Sequence, residues 1–225
     1  MNDINDVHLR NVTNKLASLC LNTIWRNMEV WRRVKNNKNL AVLDVGCGRQ
    51  GFLSGIISKY KTVGVDIWKP NVMEIREVYW DAVIGDARML PFKDKSCDVA
   101  IAIELIEHLD KADGGKALEE MERVAKKMVV IAMPIGKNEH HDYYGNPFEE
   151  HRYVWSLNEI KEKGYEVRGE GIKGLMSGDS WWTSLPKFMR PLQYIAYIIG
   201  TLFSYHIPQI AEGVIAWRDL EVTEC

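Results

Sequence analysis

The sequence predicts a doubly wound α/β fold on a mostly parallel sheet, and three observations carry the prediction. Apolar, β-branched runs recur along the chain and alternate with segments of helical spacing, as strands and crossover helices do in such a sheet. The first run breaks into glycines, "LDVGCGRQG" at 43–51, as a strand turning sharply into a helix would. The runs are apolar almost throughout, not alternating, so both faces of the sheet must be covered by helices in a three-layer arrangement.

Residues 8–35 come first, with Leu16, Cys20, Ile24 and Met28 at i+4 steps. They read as an N-terminal helical extension (1–37) ahead of a main domain at 38–225. Strands are expected at 40–45 (LAVLDV), 62–67 (TVGVDI), 97–103 (CDVAIAI) and 128–133. They run into the glycine turn, Asp66, Glu104 and Pro134. Residues 113–127 place Leu118, Met121 and Val124/Ala125 at helical spacing. "WSLNEIKEKG" (155–164) reads as a helix with Ser156 as N-cap, Glu159 at the capping-box position and Gly164 as its end. Two further strands, near 165–172 and 213–220, alternate apolar with polar residues, which suits less buried, antiparallel positions at the edge of the sheet. Between them, 174–212 is an insert with Trp181, Trp182 and no Asp, Glu, Lys or Arg from Pro191 to Ala211.

A chain of 225 residues supports one sizeable core. Its 31 acidic and 29 basic residues give no general attraction for nucleic acid. Cys20, Cys47, Cys97 and Cys225 form no C-x-x-C pair, which suits reduced thiols in the cytoplasm and neither a disulfide framework nor a zinc site. The polar start, MNDINDVHLRN, is not expected to be a signal peptide.

Gly46, Gly48 and Gly51 spell G-x-G-x-x-G, and Asp66, 18 residues after Gly48, suits the ribose of any adenosine ligand. Asp44 separates the readings. A carboxylate ending a buried strand needs a compensating partner; a dinucleotide's pyrophosphate repels it, whereas an ammonium matches it. In order and spacing, "VLDVGCGRQGFL", "VGVDI" and "GDARMLPFKDKSCDVAIAIELIEHL" resemble the class I S-adenosylmethionine-dependent methyltransferases of the small-molecule, type 11-like group, over roughly residues 38–172. The resemblance implies a seven-stranded Rossmann-like sheet with an antiparallel last strand. It also implies S-adenosyl-L-methionine as cofactor, bound by Asp44, Gly46, Cys47 and Gly48, by Asp66 with Ile67 at the ribose, by Gly85, Asp86 and Ala87, and by Glu104. Asp86 would meet the adenine amino group. At the position where the family often carries a third glycine, this chain has Gln50, with Gly51 following.

No Asn/Asp-Pro-Pro-aromatic tetrad follows Glu104, and the NPF at 146–148 comes too late to replace it, which disfavours exocyclic-amine acceptors. Glu104, Glu107 and His108 have the spacing E-x-x-E-H, one face of a helical turn. Ubiquinone-pathway and some small-RNA methyltransferases hold a divalent metal on a similar cluster, many small-molecule members carry the pair without one, and no metal is expected here. His108, with His141 and His151 from "KNEHHDYYGNPFEEHRYVW", is a candidate general base.

Taken as a helix, the insert carries Leu192, Ile195, Ile199, Leu202, Phe203 and His206 on one side, and Tyr194, Tyr197, Thr201, Ser204 and Tyr205 on another. A cover that only packed would bury the apolar side; one that also met lipid would expose it. Arg26, Arg32, Arg33, Lys35 and Lys38, mixed with Trp25 and Trp31, suit a headgroup surface. The expected protein is a cytoplasmic methyltransferase with peripheral membrane contact, acting at O or C of a small hydrophobic acceptor. An RNA methyltransferase and a cofactor-binding regulatory module are the rivals.

Overall fold

A computed structural model describes residues 28–29, 32, 39–49, 60–136, 145–173 and 190–220. Seven strands form one sheet in the order β3-β2-β1-β4-β5-β7-β6. β1 (Ala41–Val45), β2 (Lys61–Asp66), β3 (Asp81–Ile84), β4 (Cys97–Ile103) and β5 (Ala125–Pro134) are parallel, and β7 (Gly213–Asp219) runs antiparallel between β5 and β6 (Glu166–Glu170). The expected doubly wound, mostly parallel sheet is present.

Alternate strand residues feed two separate cores, one on each side. Leu43, Val45, Ala100, Ala102, Val129 and Ile131 pack with Leu118, Met121, Val124 and Ile160 of the helices α2 (Lys111–Val124) and α3 (Leu157–Glu162). Val42, Val99, Ile101, Val130 and Ala132 pack on the opposite side with Val72 and Ile75 of α1 (Lys69–Ile75). Period-two burial on two covered faces makes the three layers.

Local chemistry sets the helix ends. The Asp110 side chain accepts the Asp113 N–H at 2.9 Å and starts α2 two residues before the stretch the sequence marks. In α3, Ser156 and Glu159 form the expected reciprocal capping box, and Gly164 follows at φ +85. Two features differ from the sequence reading. β3 is a four-residue strand with only Ala82 buried, too short to stand out as an apolar run. β7 is no edge: Gly213–Trp217 are all buried because a partner flanks it on each side, and β6 takes the edge. Of the expected N-terminal row, Leu16, Cys20 and Ile24 lie outside the described residues, while Met28 is exposed and Glu29 buried. The last helix, α4 (Arg190–His206), packs against β6 and is followed by a 3-10 turn, Pro208–Ile210.

Candidate active site

The winding reverses between β1 and β4, and a doubly wound sheet opens a crevice beyond the carboxyl ends of its strands at such a point. Asp44, Asp66, Gly85 and Glu104 all stand at those ends, placed there by parallel pairing in register.

The glycine turn follows β1 tightly. Gly46 and Cys47 both donate their N–H to the Val65 carbonyl, at 2.7 and 3.0 Å, and Gly48 donates to Asp66 Oδ2 at 3.0 Å. Gly46 and Gly48 are left-handed, at φ +68 and +61. Their surroundings differ. A Cβ on Gly46 would come within 2.7 Å of Leu105, whereas one on Gly48 would meet no atom within 4 Å. Gly46 is thus needed for packing, and Gly48 faces open space. Cys47 points inward; burial pushes its thiol well above the usual range, first by desolvation and then through the Asp44 and Asp66 charges.

Asp66 is buried and accepts three hydrogen bonds: from Gly48 N, from Trp68 N at 2.7 Å and from Asn71 Nδ2 at 3.1 Å. These hold the carboxylate at the mouth of the turn, and Ile67 beside it is 39% exposed, an apolar surface for a flat base. Asp44 lies deeper, 4% exposed, and accepts the Tyr79 hydroxyl at 2.6 Å. Burial pushes its carboxyl up to about 7; the Tyr79 hydrogen bond lowers it and the Asp66 charge raises it further. Gly85 donates its N–H to the Asp66 carbonyl at 3.1 Å and is small for packing, since a Cβ would stand 2.9 Å from Val65. Ala87 packs against the core.

Asp86 is engaged by a neighbour that the sequence reading did not single out. The Arg88 guanidinium binds both its oxygens, with Nη2 at 2.6 Å, and also holds Asp113 of α2 at 2.6 Å. Arg88 therefore keeps the Asp86 carboxyl below the usual range. Asn71 and Tyr79 were likewise unmarked. Asn71 sits five residues from its partner on a helix with no motif, and Tyr79 lies 35 residues from Asp44 in sequence.

Glu104 ends β4 in the left-handed region at φ +54, which costs a non-glycine residue energy, with its N–H on the Ala132 carbonyl at 2.8 Å. The chain then enters a 3-10 turn, Ile106–His108. The segment after β5 returns to it: Arg152 and Tyr153 donate to the Glu107 carbonyl, and the buried Trp155 indole donates to the Ile106 carbonyl at 3.0 Å. This docking brings the His108 and His151 rings edge to face at 4.7 Å between centroids. His108 Nδ1 faces the Glu150 carbonyl at 3.2 Å, which selects the tautomer with its proton on Nδ1 and its basic lone pair on Nε2. Glu107, buried, joins them: one ligand atom each from Glu107, His108 and His151 all lie within 4.8 Å of one another, a grouping able to take one divalent cation. His151, not the expected Glu104, completes this cluster. His141 lies outside the described residues. The same returning segment places Phe148 against Trp68, ring centroids 6.3 Å apart, bridging from the β5 end to the β2 end across the crevice.

The donor set fits adenosylmethionine: an open glycine for the amino-acid portion, one buried carboxylate to match an ammonium and a second beside the turn for ribose hydroxyls. Comparison with known proteins agrees. Residues 43–133 match the family model described as "Methyltransferase domain". The chain is 29% identical over 102 residues to a tRNA (carboxymethyluridine(34)-5-O)-methyltransferase of Arabidopsis thaliana, covering 45% of this chain and 25% of that one. It is 32% identical over 108 residues to the O-methyltransferase resE of Aspergillus sclerotiorum, covering 44% and 40%. The chain thus spans less than half the length of these curated relatives. In fold it is similar to a SAM-dependent methyltransferase from Archaeoglobus fulgidus, with a TM-score of 0.57, 18% identity and coverage of 88% of this chain and 94% of the other. Motif order, sheet topology and family match coincide on the same residues: residues 43–133 are similar to the methyltransferase-domain family, and the chain has the fold of the class I S-adenosylmethionine-dependent methyltransferases.

Proposed function

We propose that the protein transfers a methyl group from S-adenosylmethionine to an oxygen or carbon of a small hydrophobic acceptor. The observation that carries the reading is an open, left-handed Gly48 beside two buried carboxylates, Asp44 and Asp66, where the winding of the sheet reverses. That charge set suits a cation and a diol and repels a pyrophosphate. When bound, the donor supplies a methyl already activated on a sulfonium sulfur. The remaining requirement is to align the acceptor and take its proton. Asp44 matches the donor's ammonium and Asp66 accepts from its ribose. His108 Nε2, with His151 at its edge, receives the proton of a hydroxyl acceptor. Phe148 and Trp68 limit water above the crevice.

The Arabidopsis and Aspergillus relatives carry O-methyltransferase names, which supports an oxygen acceptor. The Arabidopsis relative keeps an RNA acceptor as the second reading, against which stands the balance of 29 basic and 31 acidic residues. The test is incubation with methyl-labelled donor and, in parallel, a cellular lipid extract and total tRNA. Label is expected in small organic-soluble products. Label in the tRNA alone selects the RNA reading, and tight donor binding with no labelled product in either selects a regulatory module. Replacing His108 with Gln is expected to slow transfer by about 100-fold or more while donor affinity, read by calorimetry, is unchanged.

A further inference from the structure

We propose that α4 is an interfacial helix that seats the protein on the surface of an anionic lipid bilayer. The helix is built inside out. Its inward residues, Tyr197, Gly200, Thr201 and Ser204, are buried and recur at the spacing of one helix face. Thr201 Oγ1 donates to the Tyr197 carbonyl at 2.8 Å and Ser204 Oγ to the Thr201 carbonyl at 3.1 Å, so the inner hydroxyls are satisfied within the helix itself. Around Gly200 and Ser204 the face is small because the helix closely approaches β6 and the residues after it. A Cβ on Gly169 of β6 would stand 2.0 Å from the Ser204 carbonyl oxygen, and one on Gly200 3.1 Å from Ile172. The bulky apolar residues are left outside: Leu192, Ile195, Ile198, Ile199, Leu202 and Phe203 are each between 48% and 62% exposed. At 100° per residue they fill one arc of roughly 140°, opposite the buried face. Exposed Ile207 and Ile210 extend the strip beyond the helix end.

Three features select a bilayer as the occupant. The strip follows the helix for about 25 Å, and the sequence places no Asp, Glu, Lys or Arg between Pro191 and Ala211. A protein partner asks for roughly one hydrogen bond per 100–200 Å², yet the Thr and Ser hydroxyls are turned inward; hydrocarbon asks for none. A cationic residue stands where the strip ends: exposed Lys173 donates its N–H to the Ile210 carbonyl at 3.0 Å and its ammonium to the Gln209 carbonyl at 3.4 Å, beside the exposed isoleucines. That is the placement of basic groups that meet lipid phosphates while apolar neighbours dip below them. No helix among the described residues is long and apolar enough to cross a membrane, so α4 lies in the interface plane.

The test is co-sedimentation of the full chain with phosphatidylcholine vesicles, with and without phosphatidylglycerol, beside light scattering on a sizing column. The comparison is the triple variant Ile198→Ser, Leu202→Ser, Phe203→Ser, whose outward positions leave the fold intact, checked by melting temperature. The intact protein is expected to pellet with vesicles containing phosphatidylglycerol, and the variant to bind at least about tenfold more weakly. Lys173→Ala is expected to weaken binding to the anionic vesicles alone. The proposal is overturned if the intact protein stays in solution with both vesicles, or if intact and variant proteins pellet alike. It is equally overturned if the intact chain is a dimer that the serine variant dissociates, since the strip would then be covered by a second copy.

Discussion

Asp44 and Asp66 end neighbouring strands, yet their surroundings assign them different tasks. Asp66 is held by three N–H donors at the mouth of the turn, while Asp44 sits behind it with a single tyrosine hydroxyl. With burial pushing its carboxyl up to about 7, Asp44 is substantially protonated at pH 6. An ammonium requires the ionised form, so donor binding below pH 7 must release a proton. Donor affinity is expected to rise between pH 6 and 7, by at most about tenfold per pH unit, and to level off above. Calorimetry at pH 6 in buffers of different ionisation heat checks it; absence of proton release removes Asp44 from the ammonium site. Tyr79→Phe deletes the hydrogen bond that lowers the Asp44 carboxyl, so the midpoint is expected to move to higher pH. Asp66→Ala is expected to weaken donor binding by roughly 1–3 kcal/mol, as ribose hydroxyls lose a charged acceptor. An unchanged dissociation constant in the folded variant would contradict the ribose assignment.

Element ends follow short-range chemistry, which is why so many of them were readable. Ser156, Glu159 and Gly164 act on backbone within a few residues, and Ser156→Ala is expected to cost about 1 kcal/mol in chemical denaturation. The orientation of α4 was not readable in this way. The sequence separates an apolar side from a Tyr, Thr and Ser side, but periodicity says only that two faces differ. Gly169 decides which goes inward, because only small residues around Ser204 admit its carbonyl so close to β6. Gly169→Ala is therefore expected to push α4 off the sheet edge at a cost of about 3 kcal/mol or more, read as a lowered melting temperature, whereas Gly115→Ala, whose Cβ would meet nothing nearer than the Lys163 ammonium at 3.7 Å, is expected to be neutral or stabilising.

Over the whole molecule, opposing titrations shape stability. The Lys111 ammonium, 2.5 Å away, holds the Glu159 carboxyl down to about 2, with Tyr153 and Ser156 assisting. Its stabilisation is present above the normal carboxylate range and falls away as pH drops towards 2. Asp44 works in the other direction. A carboxyl raised in the folded state binds more protons there than when unfolded, so its contribution is fullest below about pH 4 and is lost as pH rises to about 7. Asp44→Asn removes that loss. The variant is expected to gain stability relative to the native chain between pH 5 and pH 8, by at most about 4 kcal/mol, while losing donor affinity. Urea midpoints at the two pH values measure the difference.

By itself the sequence determined the alternating strands and helices, the glycine turn, the strand-end carboxylates and the helix caps. Each of these is written in contiguous residues, as a hydrophobic run, a turn or a cap. Tertiary structure alone decided what depends on which distant segments meet. It set β7 inside the sheet, joined Tyr79 to Asp44 and Arg88 to Asp86 and Asp113, and brought His151 beside His108 in place of Glu104. It also turned the apolar face of α4 outward. The physical reason is common to all of these: periodicity marks which residues share a face, but only strand pairing and the closeness of backbone to backbone decide what that face meets.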